Sequence, residues 1–97
     1  MTITAKKLRS LYPELQTLYD KRTLMKRAYE DTYEAKESFL ERSGPEASWS
    51  AHLRAKKRSL DKEKSEAWNL LCVTWNAYTR LKDELTQEYL AANSSPT

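Results

Sequence analysis

His52 and Cys72 are the only imidazole and the only thiol in a chain of 97 residues. Together they are the raw material of a cysteine nucleophile, whose thiolate must form within hydrogen-bond reach of its base. Twenty residues of one predicted helix separate them, about 30 Å at 1.5 Å per residue, so they do not meet. One histidine and one cysteine also fall short of the clustered ligands of a transition-metal site. Carboxylates pair at Glu30 with Glu34 and at Glu37 with Glu41, one helical turn apart, which is the ordinary look of a solvated helix face. A single glycine leaves no Gly-rich loop to cradle phosphates. The sequence therefore predicts a protein that is not an enzyme, with no cofactor, no metal and no small-molecule substrate.

Two patterns remain that suit binding. The run His52, Arg54, Lys56, Lys57 and Arg58 places four cations in five residues, and the N-terminus adds Lys6, Lys7 and Arg9 with no acid among residues 1–12. Cations on one helix lie along phosphates by displacing counterions, so these residues are candidates for contact with nucleic acid or with an acidic partner. Asp61, Glu63 and Glu66 follow at once, and Glu34 and Glu37 belong to the facing helix, so neutralisation within the molecule is the competing expectation. The second pattern is aromatic. Trp68 and Trp75 stand seven apart with Tyr89 two turns later, and Tyr12, Tyr19 and Tyr33 flank the first helix. These six are the candidate protein interface, because aromatic anchors on helix faces dominate binding hot spots. The alternative is that the rings fold over the seam and complete a core.

The elements that hold these residues are helices. Hydrophobic residues make up 39% of the chain and charged residues 32%, against about 45–50% and 25% for globular domains, a balance that suits thin helical structures. One Gly and three Pro supply too few turns for a β-sheet protein. The expected fold is all-α: a long antiparallel two-helix hairpin, coiled-coil-like, with a short N-terminal helix before Pro13. It forms a single domain over residues 1–97, with helix 1 over about 5–42 broken or kinked near 12–13, a turn over 43–47, helix 2 over about 48–92 and a frayed tail over 93–97. Thr4 suits the first cap, Gly44 a left-handed C-terminal cap, and Ser48 or Ser43 the cap of helix 2.

Leu8, Leu15, Arg22, Tyr29 and Lys36, together with Leu11, Leu18, Met25, Thr32 and Phe39, repeat every seven residues as a coiled-coil seam. Leu53, Leu60, Ala67, Thr74 and Leu81 do the same on helix 2, with Trp49, Leu70, Leu71, Tyr78 and Leu85 nearby. Folding about Gly44 makes facing residue numbers sum to about 89. Leu8 to Tyr19 then oppose Leu81 to Leu70, Phe39 and Leu40 meet Trp49 and Leu53, and Arg22 reaches Glu63 or Glu66.

The N-terminal segment lacks the apolar run of a signal peptide, no stretch approaches the roughly 20 apolar residues of a membrane span, and one cysteine suits a reducing compartment. A soluble, cytoplasmic protein follows. Trp49 beside the turn is similar to the WXG-type secreted helical hairpins, but Ser48-Trp49-Ser50 lacks their glycine, and Tyr78 to Lys82 lacks the acid of their export signal. In size and style the chain resembles the small helical proteins with which bacteriophages modify host nucleases, helicases and polymerases, a likeness that no motif carries. The expected function is protein–protein interaction, as a small adaptor or inhibitor that binds a larger protein or pairs as a homodimer. Nucleic-acid binding through residues 52–58 and the basic N-terminus is the alternative.

Overall fold

A computed structural model describes residues 2–94; the last three residues of the expected tail, 95–97, lie outside the described residues. The protein is an all-α helical hairpin preceded by a short helix: α1 spans Ala5–Leu11, α2 Pro13–Ser43 and α3 Ala51–Asn93, with no strand among the described residues.

Each boundary has a local cause. The Thr4 hydroxyl accepts from the Lys7 amide at 3.1 Å and caps α1. A residue before proline is pushed out of helical geometry, and Tyr12 accordingly takes φ −122° and ψ 97° while its amide still donates to the Leu8 carbonyl. Pro13 then opens α2, where a missing amide costs nothing. Gly44, at φ +69°, supplies the left-handed residue that ends α2.

The turn is longer than Gly44 and Pro45 alone suggest. A single 3₁₀ turn over Glu46–Ser48 follows. The amide and hydroxyl of Ser48 both donate to the Pro45 carbonyl, so Ser48 is spent inside the turn and cannot cap α3. Ser50 does so instead, accepting from the Leu53 amide at 3.3 Å, and α3 begins at Ala51 rather than near 48. The Trp49 indole N–H donates to the carbonyls of Ser43 and Gly44, both at 3.0 Å. Those carbonyls are among the orphans every helix end leaves.

The chain divides into two compact units. Unit 1 joins residues 1–23 to 73–97 around Leu8, Leu15, Tyr78 and Leu85, with Ile3, Tyr12, Leu18, Tyr19, Leu81 and Tyr89 partly buried against them. Unit 2, residues 24–72, has Phe39, Trp49 and Leu60 as its core, with Leu40 and Leu53 packed beside them.

In both units the helices run antiparallel, but in a different register from the one expected. Tyr19 meets Tyr78 and Arg22 covers Trp75 in unit 1; Tyr29 meets Trp68, Lys64 covers Tyr33 and Lys36 binds Asp61 in unit 2. Each pair sums to 97 rather than about 89. The longer turn contributes part of the offset, which is close to one heptad, so the seven-residue stripes still face each other. Leu11 and Leu70, expected in the seam, are instead about half exposed. Arg22 lies over the rings of Tyr19, Trp75 and Tyr78 and not on Glu63 or Glu66.

Candidate interaction surface

In unit 2 the seam opens between α2 and α3 into a groove of about 580 Å³ lined by Tyr29, Lys36, Asp61, Lys64, Ser65, Trp68 and Asn69. Its apolar wall is Trp68, which stays 50% exposed while meeting the Tyr29 ring in a tilted contact at 5.1 Å and 54°. Its polar floor is the Lys36–Asp61 ion pair at 2.6 Å, joined on α3 by Lys57 at 3.1 Å. Lys64 Nζ sits 4.7 Å from the centre of the Tyr33 ring, which is itself 46% exposed. Lys36 and Lys64 against the single carboxylate of Asp61 leave the groove lining net cationic.

The Asp61 carboxyl is held below its usual range, first by the hydrogen bond from Lys36 and, against partial desolvation, by that from Lys57. Its contribution to stability is complete above the ordinary carboxyl value of 3.8 and is lost as pH falls through the depressed one. The Lys36 ammonium is held above its usual range by the same hydrogen bond. That contribution is present below the ordinary 10.5 and is lost as pH rises through the raised value. Both side chains meet solvent, so the pair is modest. Asp61→Asn is expected to cost about 0.5–1 kcal/mol near neutral pH, and to flatten the acid limb of a plot of urea midpoint against pH. An unchanged acid limb would place that limb's origin elsewhere.

No family model, curated protein or solved structure matches the chain.

The remaining sequence candidates fall into two groups. Trp75, 45% exposed, carries the Arg22 guanidinium 4.1 Å above its ring. Tyr12, Tyr19 and Tyr89 are partly buried against the unit 1 core; the Tyr12 hydroxyl is held above the usual phenol range by partial desolvation, then by the Glu88 and Glu14 carboxylates and Tyr89. Arg9 is drawn into the same cluster, donating to the Tyr78 hydroxyl at 3.1 Å and lying 3.9 Å over Tyr19, whereas Lys6 and Lys7 are exposed.

In the basic run His52, Arg54, Lys56 and Arg58 are exposed and only Lys57 is half buried. Of these five, only Lys57 forms an ion pair among the described residues, and its partner is Asp61 on its own helix. The expected neutralisation of the run by Glu34 and Glu37 is not formed.

His52 is exposed and Cys72 a half-buried free thiol, twenty residues apart on unbroken α3. Among the described residues no group of three His, Cys, Asp or Glu side chains could hold a metal ion, and no helix is long and apolar enough to cross a membrane. Sequence reasoning missed the exposed apolar residues Leu24, at 61%, and Leu70, at 57%, in unit 2, and Val73, at 67%, in unit 1. The available signal was that residues 67–79 of α3 carry no charge in a chain where 32% of residues do. A helix apolar on more than its core face has surface left over for another partner.

Proposed function

We propose that this is a non-enzymatic protein–protein interaction module, an adaptor or inhibitor working in the cytoplasm, whose partner is engaged through the Trp68 groove of unit 2. The observation that supports it is Trp68 itself. The ring is half exposed and lies outside the Phe39, Trp49 and Leu60 core, yet it packs against the Tyr29 ring. An ordered but uncovered tryptophan contributes large contact area on binding while losing little conformational freedom. A modulator of a host nuclease, helicase or polymerase, of the kind bacteriophages make, would act in this way.

The test is Trp68→Ala. Partner binding is expected to weaken by about 2 kcal/mol, roughly 30-fold, with the melting temperature changed far less than a core tryptophan would require. The measurement is calorimetry on the partner recovered with the intact protein, beside thermal melts of both forms. Undiminished binding would remove the groove from the interface. The second reading, nucleic-acid binding, is favoured by Arg54, Lys56 and Arg58, which are exposed and form no ion pair among the described residues. It predicts retention on DNA at low salt that disappears as salt rises.

A further inference from the structure

The two edges that border the Trp68 groove carry opposite charge. On α3, Trp68, Asp61 and Arg54 are spaced by sevens and so share one edge, with Arg58 one turn before Asp61. On α2, Tyr33 faces Lys64 across the groove. Glu30 and Glu37 lie one turn to either side of Tyr33, and Glu34 and Glu41, again seven apart, stand just beyond them. Glu30, Glu34, Glu37, Glu41, Arg54 and Arg58 are all exposed, and among the described residues none of them forms an ion pair. Asp61, the acid on the basic edge, is already held by Lys36 and Lys57. One face of unit 2 therefore offers a row of carboxylates and, at Arg54 and Arg58, two guanidinium groups without ion-pair partners among the described residues, with half-exposed aromatic rings between the two edges. Arg54 Nε does donate to the Trp49 carbonyl, at 3.4 Å.

Resting on the interaction reading above, we infer that the partner for this face is a second copy of the chain, paired about a two-fold axis parallel to the helices. Such an axis lays α2 of each copy on α3 of the other at the same level along the hairpin. The register fixes those levels: Lys36 lies opposite Asp61, so Glu37 is level with Leu60 and Glu41 with Lys56. Glu37 and Glu41 of one copy then come against Arg54 and Arg58 of the other, and two-fold symmetry repeats the contact. Glu30 and Glu34 come level with the region around Lys64. Trp68 comes level with Tyr29, one turn from the half-exposed Tyr33 of the other copy. A nucleic acid fits this face poorly, because Glu30, Glu34, Glu37 and Glu41 form an exposed acidic edge beside the groove, and phosphates running along it would meet those carboxylates.

The geometry dictates its own test. Glu37→Lys/Glu41→Lys makes both sides of this contact basic, and Arg54→Glu/Arg58→Glu makes both acidic. In either variant alone, both repeats of the contact become like-charged, and self-association measured by sedimentation should weaken on the order of tenfold or more. Mixing the two variants restores opposite charge at both repeats, so a one-to-one complex should form with near wild-type affinity. Wild-type association should also weaken toward about 1 M salt, where the screening length is about 3 Å. Circular dichroism on each variant confirms that the helices persist, and recovery on mixing is independent proof that both are folded.

Two results would overturn the proposal: a wild-type protein that stays monomeric up to about 1 mM, or variants that dimerise unmixed as well as wild type does. In either case Trp68-dependent binding of a different protein would leave the interaction reading standing. Salt-sensitive binding of single-stranded DNA by the monomer would replace both.

Discussion

Leu15→Asp is expected to unfold unit 1. Leu15 has no exposed surface, and its neighbours Leu8, Tyr78 and Leu85 are each at most 5% exposed. Removing a fully buried leucine side chain costs about 2.7–5 kcal/mol before any charge is added, and an unpaired carboxylate in that site has no cation or donor to meet it. About 4 kcal/mol or more is therefore at stake, against the 5–15 kcal/mol that holds a typical domain. In a chain of this size that corresponds to a fall in melting temperature of roughly 15–30 °C. Leu11→Asp is the internal control. It lies one turn away and was expected in the same seam, but it is 46% exposed, so the same substitution should shift stability by only about 0.5 kcal/mol. If the two variants melt together, the placement of this cluster is wrong.

Trp49→Ala is the second large effect, for a different reason. Trp49 is 7% exposed, packs edge-on against Phe39 at 5.4 Å and donates to two carbonyls at the end of α2. Truncation removes the ring and leaves those carbonyls to water, at about 3–5 kcal/mol. Trp49→Phe separates the contributions: a ring remains for Phe39, but the indole donor is gone. It should cost about 1–2 kcal/mol, the range for a lost hydrogen bond to partly buried groups. Urea denaturation followed by circular dichroism distinguishes the three proteins. A phenylalanine variant as unstable as the alanine variant would assign the whole effect to the donor, and a neutral alanine variant would remove Trp49 from the core.

These two residues also mark where the sequence was legible and where it was not. The helices, the break at Tyr12–Pro13 and the left-handed Gly44 follow from local chemistry, because proline and glycine act through their own backbones. The seven-residue stripes were legible because a heptad repeat declares its own face. Which turn of α2 meets which turn of α3 was not, because it depends on the length of the connection. That length was set by an indole reaching back to carbonyls five and six residues earlier. An offset near one heptad keeps every stripe facing a stripe, so the pattern alone could not reveal it. Beside the turn Phe39 and Leu40 still meet Trp49 and Leu53, but further along the partners change: Arg22 finds aromatic rings in place of acids, and Trp68 finds Tyr29. The charged edges were visible as runs in the sequence, but that they would remain unneutralised depended on the same register.

Gly44 is the one residue described here whose backbone takes a positive φ, and a Cβ built on it would meet nothing within 4 Å. The constraint at that position is therefore handedness alone, with no component of crowding. An L side chain meets a backbone penalty there even with open space around it, least for Asn and most for β-branched residues, while a mirror-image residue introduced by chemical synthesis would match the turn's geometry and narrow the choices of the unfolded chain. The hairpin's reversal thus asks its opening residue for a chirality that the genetic code does not supply, and glycine, having none, is the nearest coded substitute.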